Sequence, residues 1–281
     1  MKGKIMDATD STLQDFTFLM PIELSKPIAS VSQDEFHAID KRMMRHAFAI
    51  HNQFGRMLDE VIYKQELAAR CSADGMEVAR EVMVRVRHDG FVKDYFIDLL
   101  VAGSTIVEAK TVRELLSAHQ GQGINYLLLA GTHHGSLVNF RSSMVKRTFL
   151  STRLTREQRC RFEVVEEGWP DDVRHAGLKA TVQGFCADVG LGLDLPLYRE
   201  STAQLGGCTR ELVPILSGGR VLGHHEMVMV GAGVGLAVTG LSETGDCEEH
   251  LGRLLANTAL EAISWINLRL GLIELRQVRK P

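Results

Sequence analysis

The sequence predicts an α/β protein with two halves of similar plan. Segments in which apolar and polar residues alternate, as in half-buried strands, are interspersed with segments whose apolar residues recur every three or four positions, as in amphipathic helices. The order of these segments in the first half returns in the second. With 281 residues, of which 45% are hydrophobic and 24% charged, the chain can bury one large core or two ordinary ones.

In the first half the predicted order is helix, helix, three strands, helix and strand. Gly55, the Asp89-Gly90 pair and the Ala102-Gly103 pair separate neighbouring elements, because glycine readily adopts the backbone conformations that turns require. The predicted elements are two helices at 35–53 and 58–71, strands at 77–87, 95–101 and 104–110, a helix at 112–130 and a strand at 135–140.

Two changes in composition divide the chain. Residues 1–34 mix Ser, Thr, Pro and Asp with one short apolar piece at 16–22, which indicates an N-terminal arm that docks one strand or short helix on the body. Residues 153–175 are strongly charged and mark a second boundary. We therefore expect an arm at 1–34, a first domain at 35–152 and a second domain at 153–281.

The second domain is expected to be a diverged copy of the first. Residues 190–198, GLGLDLPLY, share glycine, Leu-Asp and tyrosine at the same offsets with residues 55–63, GRMLDEVIY. Residues 262–275 are aligned with the helix and strand at 124–140. The alternative is a chance similarity between two α/β halves, but the order of the elements agrees as well, which favours duplication.

Three charged residues of the first domain have a spacing typical of a metal site. Asp98 and Glu108 fall on neighbouring predicted strands joined by a tight turn, so their carboxylates can approach each other. Glu108 and Lys110 are two residues apart on one strand and share a face. Paired carboxylates suit a hard cation such as Mg²⁺ or Mn²⁺, which polarises a phosphoryl oxygen and activates water. The lysine can orient that water or stabilise developing negative charge.

The competing interpretation is a pair of surface charges on an edge hairpin, since an E-x-K motif alone is common. The surrounding sequence, IDLLVAGSTIVEAK, is strongly apolar. Burying charges in such a place is costly unless they are compensated. The flanking residues therefore favour a cluster that serves chemistry.

Residues 55–63 also resemble the signature of the GxxExxY proteins, a branch of the PD-(D/E)xK nuclease superfamily. Gly55, Glu60 and Tyr63 stand at its defining positions, with a shorter gap after the glycine. Further matches follow in order across residues 37–145: His51, DLLV at 98–101, VEAK at 107–110, His119, Gln122, NYL at 125–127 and VNF at 138–140. The resemblance implies a restriction-endonuclease-like fold, a mixed central sheet flanked by helices, that acts on DNA or RNA phosphodiesters with Mg²⁺.

The resemblance also implies which residues form the active site. By position these are Glu60, Asp98, Glu108, Lys110 and Gln122, with Glu60, Asp98 and Glu108 as metal ligands. Without the resemblance, the sequence pattern around Glu60 favours a solvent-exposed carboxylate on a helix. His119 and Tyr126 lie on the same predicted helix face as Gln122 and are candidate substrate contacts, although packing over the sheet edge explains both equally well.

The second copy is predicted to lack these charges. Leu195 aligns with Glu60, Met227 with Asp98, and residues 237–239 with the E-x-K run. A degenerate copy of this kind is expected to pack against the first, to contact substrate, or to mediate a homo-oligomer.

Bulk properties restrict partners and location only weakly. The net charge of −3 gives no global sign of a nucleic-acid partner, and the basic run from Lys146 to Arg161 is either a solvated face or a surface that neutralises phosphates. Five cysteines without CxxC spacing are expected to be free thiols. Neither a membrane span nor a signal pattern is present in the sequence, so a cytoplasmic protein is expected.

The function expected from these features is that of a Mg²⁺-dependent nuclease that hydrolyses phosphodiester bonds, with DNA favoured over RNA. Two alternatives stay open. One is a non-catalytic nucleic-acid-binding or scaffold protein with a nuclease-like fold. The other is a metal-dependent hydrolase that acts on a small phosphorylated molecule.

Overall fold

The computed structural model describes residues 20–280 and contains two six-stranded mixed sheets with helices on their faces. The predicted fold class, a mixed sheet flanked by helices in each half, is confirmed. Of the N-terminal arm predicted at 1–34, residues 1–19 lie outside the described residues.

The first sheet is formed by residues 22–151. Its elements, numbered in chain order, are β1 (Ile22–Leu24), α1 (Gln33–Phe54), α2 (Glu60–Ala73), β2 (Val78–His88), β3 (Phe91–Val101), β4 (Thr105–Lys110), α3 (Ser117–Ala130), β5 (His134–Asn139) and β6 (Lys146–Ser151). The strands follow one another across the sheet from β1 to β6. All neighbours are antiparallel except β4 and β5, which are parallel and connected through α3.

Local sequence explains several of these boundaries. Ser32 and Glu35 form a capping box at the start of α1, in which each side chain accepts a hydrogen bond from the other residue's backbone N–H. Gly55 ends α1 at φ +71°, and Gly131 ends α3 at φ +68°, a left-handed conformation that glycine adopts without strain.

The edge strands β1 and β6 are absent from the predicted elements, apart from the one strand or short helix expected in the arm. In β6, KRTFLS, Leu150 is the only buried residue. An edge strand with a single buried side chain carries too little alternation to be recognised as a strand.

The second sheet is formed by residues 163–279. The elements of this half are α4 (Arg156–Arg159), β7 (Glu163–Glu167), α5 (Val173–Val189), α6 (Leu195–Leu205), β8 (Thr209–Ser217), β9 (Arg220–Gly231), β10 (Val234–Thr239), α7 (Gly245–Ala256), β11 (Ala262–Arg269) and β12 (Leu272–Arg279). The order across the sheet is β7-β12-β11-β10-β9-β8.

Five strands of each sheet share one topology. Strands β8 to β12 repeat the order and directions of β2 to β6, including the parallel third and fourth strands with a helix between them. The internal repetition is therefore present in the structure. The alignment of residues 262–275 with 124–140 is wrong, because 262–275 forms most of the β11-β12 hairpin and α7 is the element that corresponds to α3. Similar apolar composition made a buried hairpin resemble a helix followed by a strand.

Matching hydrogen bonds support the remaining alignment of the two halves. The Tyr63 hydroxyl donates to the carbonyl oxygen of Gly55 over 2.7 Å and accepts from the backbone N–H of Leu58 over 3.3 Å. The Tyr198 hydroxyl makes the same bond to Gly190 over 2.7 Å and accepts from the Leu193 N–H over 3.0 Å. The shared glycine and tyrosine thus hold the turn before α2 and before α6 in the same way.

The elements stack in five layers. Helices α1 and α2 cover one face of the first sheet and form a core with it, while α7 covers the outer face of the second sheet. Between the two sheets lie α3, α5 and α6, which share one continuous core with both of them. The second half is therefore joined to the first by buried apolar surface, which is the main stabilising contribution to such contacts.

The basic run, for which a solvated face and a phosphate-neutralising surface were both open, is divided by the fold. Arg147 lies on the edge strand β6. Arg159 is completely buried and donates hydrogen bonds to the carbonyl oxygens of Val189, Leu191 and Leu128. Because Leu128 belongs to α3, whereas Val189 ends α5 and Leu191 follows it, this arginine joins the two halves and does not face a nucleic acid.

Within residues 20–280 no helix has both the length and the apolar content needed to cross a membrane. The five cysteines are free thiols, as the sequence predicts.

Candidate active site

The predicted charges meet where strand β3 is distorted. In the β2-β3 ladder Arg80 pairs with Leu99 and Val82 with Ile97, so Glu81 stands opposite Asp98. Glu81 has a φ of +50°, a conformation that side chains other than glycine rarely adopt. Ile97 packs into the core shared with α3, whereas Leu99 packs into the core beneath α1 and α2. Residues two apart normally share a face, so the strand turns over at Asp98.

Asp98 and Glu108 form the centre of the site. The backbone N–H of Asp98 donates to Glu108 Oε1 over 3.2 Å, and the N–H of Ala109 donates to Asp98 Oδ2 over 2.9 Å. Asp98 is 7% exposed and Glu108 is 1% exposed. The two carboxylates predicted to approach each other are thus brought together, and the protein surrounds both.

Each carboxylate of this pair is contacted by one lysine. Lys110 Nζ lies 3.3 Å from Glu108 Oε2, on the same strand, as the E-x-K spacing predicts. Lys64 Nζ lies 2.7 Å from Asp98 Oδ1 and 3.5 Å from Glu60 Oε1. Lys64 was not among the predicted site residues, although its position four residues after Glu60 on a helix is a signal for an ion pair.

Glu60 reaches the site from the first turn of α2. Its Oε2 accepts a hydrogen bond from the backbone N–H of Thr111 over 3.1 Å, directly after the E-x-K run. The ammonium of Lys64 therefore stands between Glu60 and Asp98. Burial disfavours the charged lysine, but the hydrogen bond and the charge of Asp98 outweigh this, and the pKa of Lys64 is raised.

The buried carboxyl of Glu108 is short of positive charge. Burial, followed by repulsion from Asp98, raises the pKa of Glu108 from 4.5 to about 8, although Lys110 opposes the rise. A cation placed between Asp98 and Glu108 would relieve both effects, because it favours the ionised form of each carboxylate.

This pKa predicts a pH-dependent stability for the metal-free protein. Between about pH 4.5 and pH 8 the folded protein keeps a proton on Glu108 that the unfolded chain has lost, so stability falls as pH rises through this range. Glu108→Gln removes the titrating group. We expect the difference in unfolding free energy, variant minus wild type, to rise by roughly 2–5 kcal/mol from pH 4.5 to pH 9. Urea unfolding in EDTA at several pH values measures this rise.

The control for this measurement is Glu157→Gln on α4, where the carboxylate is exposed. Its stability difference from the wild type should stay constant over the same range. A constant difference for Glu108→Gln as well would contradict the raised pKa.

Helix α3 places Gln122 and Tyr126 beside the carboxylates. Gln122 Nε2 donates to the Tyr126 hydroxyl over 3.0 Å. Burial, with a further contribution from the charge of Glu108, raises the pKa of Tyr126 to about 12. His119 instead accepts a hydrogen bond from the backbone N–H of Leu116 over 2.9 Å and caps the start of the helix. The capping contact supports a structural role for His119.

The donor set fits a divalent cation at Asp98 and Glu108, with Glu60 held apart. Carboxylate oxygens are the protein ligands that Mg²⁺ and Mn²⁺ prefer. Within residues 20–280, however, no three Asp, Glu, His or Cys side chains stand together as a preformed metal-binding group. The ammonium of Lys64 lies between Glu60 and Asp98.

The equivalent place in the second half carries none of these charges. The strand registers put Met227 at the position of Asp98, Ala237 at that of Glu108 and Thr239 at that of Lys110. The shared turn puts Leu195 at the position of Glu60. The fold is thus kept where the carboxylates are absent.

Comparison with known proteins gave a similarity in the first half of the chain. Residues 37–151 match the family model described as PD-(D/E)XK nuclease superfamily. This stretch runs from α1 to the last residue of β6 and contains Glu60, Asp98, Glu108, Lys110 and Gln122. No curated protein and no solved structure gave a significant match to the chain.

Proposed function

We propose that the protein is a Mg²⁺- or Mn²⁺-dependent nuclease that hydrolyses phosphodiester bonds at Asp98 and Glu108. The observation that carries the proposal is the convergence of two buried carboxylates and Lys110 at the distorted strand of a PD-(D/E)XK-like sheet. The signature around Gly55, Glu60 and Tyr63 supports assignment to the GxxExxY branch. We further propose the domain limits 35–152 and 153–281, and DNA as the preferred substrate.

In this proposal Asp98 and Glu108 would hold the cation, and Glu60 would join them when Lys64 moves aside. A bound divalent ion supplies electrophilic stabilisation and a water of lowered pKa. Lys110, 3.3 Å from Glu108, orients the water that attacks phosphorus and stabilises negative charge on the phosphoryl oxygens. Lys64 keeps the site neutral without the ion and is a positioning residue for Asp98.

A cleavage assay tests the function. Purified protein is incubated with single-stranded and duplex DNA and RNA in Mg²⁺, in Mn²⁺ and in EDTA. We expect cleavage that requires the metal and is lost in Asp98→Asn, an exchange that keeps the shape of the side chain. The matched control is Asp94→Asn on the same strand, whose carboxylate pairs with Arg85 at the surface and whose loss should leave cleavage intact.

The alternative to a nuclease is a non-catalytic scaffold protein. It predicts no metal-dependent cleavage by the wild type and no Mn²⁺ binding that depends on Glu108. Cleavage that persists unchanged in Asp98→Asn would show that another site, or a contaminating enzyme, is responsible.

A further inference from the structure

A cleft of about 630 Å³ opens between α3 of the first half and the turn before α6 of the second half. Its volume lies in the range of about 300–1,000 Å³ that is usual for sites of small organic groups. The side chains that matter here are Tyr95, Gln122, Asn125, Tyr126, Leu193 and Asp194. The cleft therefore exists only because the second half is docked on the first.

Polar contacts across the cleft position the turn of the second half. The Tyr95 hydroxyl donates to Asp194 Oδ1 over 2.7 Å, and the backbone N–H of Asp194 donates to Asn125 Oδ1 over 3.0 Å. Asp194 stands where Asp59 stands in the first half, before the helix that follows the turn. In the second half this aspartate has become a bridge to the neighbouring domain.

The cleft adjoins the carboxylate centre along two elements. On β3, Tyr95 is three residues before Asp98, a distance of about 10 Å along the strand. On α3, Gln122 lines the cleft and donates a hydrogen bond to the hydroxyl of Tyr126. The charge of Glu108 contributes to the raised pKa of this tyrosine, so its hydroxyl lies near the carboxylates. A group held in the cleft is thus within reach of a phosphate at Asp98 and Glu108.

We infer that this cleft binds one unpaired nucleobase of a single-stranded segment, next to the phosphate that is cleaved. The inference rests on the proposed nuclease function. A nucleobase is a flat apolar ring with hydrogen-bonding edges, and proteins bind such rings with aromatic side chains and amides. The cleft is largely apolar, contains two tyrosine rings whose centroids are 6.2 Å apart, and has the amides of Gln122 and Asn125 in its wall.

The second half, which lacks counterparts of Glu60, Asp98, Glu108 and Lys110, contributes to this cleft. Its turn forms one wall of the cleft through Gly192, Leu193 and Asp194. A duplex keeps its bases stacked and paired, so it must first unstack and unpair a base to fill the cleft, which weakens binding. Single strands or duplexes with an unpaired nucleotide should therefore be bound more tightly than a perfect duplex.

The test fills the cleft with a side chain. Gly121 lies on the exposed side of α3, lines the cleft, and has no atom within 4 Å of the position of an added Cβ. Gly121→Phe should therefore fold and occupy the cleft. The control is Gly177→Phe on α5, also an exposed helical glycine with open space around it.

The probe is a short single-stranded oligonucleotide that contains 2-aminopurine, whose fluorescence falls when the base stacks on an aromatic ring. Binding is measured in EDTA, where the metal-dependent cleavage is absent. We expect quenching with the wild type and with Gly177→Phe, and about 10-fold weaker binding without quenching for Gly121→Phe. Equal binding and quenching by Gly121→Phe, or no binding by the wild type, would overturn the inference.

This measurement is independent of the proposed chemistry. If the oligonucleotide binds in the cleft but no metal supports cleavage, the proposed function fails and the base-binding cleft stands. If the wild type cleaves and Gly121→Phe cleaves single strands and duplexes equally well, the function stands and the cleft proposal fails.

Discussion

Lys110→Met is expected to lower the rate of metal-dependent cleavage by about 10²- to 10³-fold, the loss seen when one preorganised donor is removed from an active site. Lys110 is the cation beside Glu108, and its ammonium lies 3.3 Å from that carboxylate. The side chain of methionine has a similar length and no charge, so the strand should be preserved. The effect should appear in kcat, because the ammonium acts on charge that develops during the reaction.

The control is Lys179→Met in the second half, where the lysine pairs with Glu166 at the surface. That variant should cleave at the rate of the wild type. Binding of Mn²⁺, measured by calorimetry, should persist in Lys110→Met because Asp98 and Glu108 remain. A rate that is unchanged in Lys110→Met would remove this lysine from the mechanism, whereas lost Mn²⁺ binding would assign it to the structure of the metal site.

Arg159→Met is expected to destabilise the protein by about 3 kcal/mol or more. The guanidinium is completely buried and donates to three carbonyl oxygens, at 3.0 Å to Val189, 3.3 Å to Leu191 and 3.1 Å to Leu128. Methionine leaves these buried acceptors without their donor. Gly190 packs against this side chain so closely that an added Cβ would lie 2.8 Å from the Cβ of Arg159.

The matched control is Arg156→Met, one turn earlier on α4. Its guanidinium is exposed and its Nε donates to the carbonyl oxygen of Asp188 over 3.0 Å. Its replacement should cost less than about 1 kcal/mol. Urea unfolding midpoints of the two variants give the comparison. Equal stability would mean that the contact between the halves does not depend on Arg159.

Much of the first sheet could be predicted because its elements follow from local patterns. Each of these patterns spans only a few neighbouring residues. They are the alternation in β2, the apolar run of β3 and β4, and the glycine turns between the strands. The partnership of Glu108 and Lys110 likewise follows from a spacing of two on one strand. Edge strand β6 carries too little alternation to be predicted because only Leu150 is buried, and the β11-β12 hairpin was misaligned because β11 is buried on both faces.

Other features of the candidate site were decided by packing between distant parts of the chain. Lys64 reaches Asp98 across 34 positions because α2 lies over the distorted strand. The base-sized cleft requires α3 of one half and the turn at Gly192 of the other.

The sequence by itself therefore determined the types of the central elements of the first half, the repeated plan and the pair of carboxylates with its lysine, since these depend on periodicity and short spacing. Only the tertiary structure decided that Lys64 stands between Glu60 and Asp98, and that Arg159 is buried. It also decided that the second half forms one wall of the cleft beside α3. Such contacts depend on how whole layers stack, and the apolar surface that drives the stacking carries little information about which individual polar groups will meet.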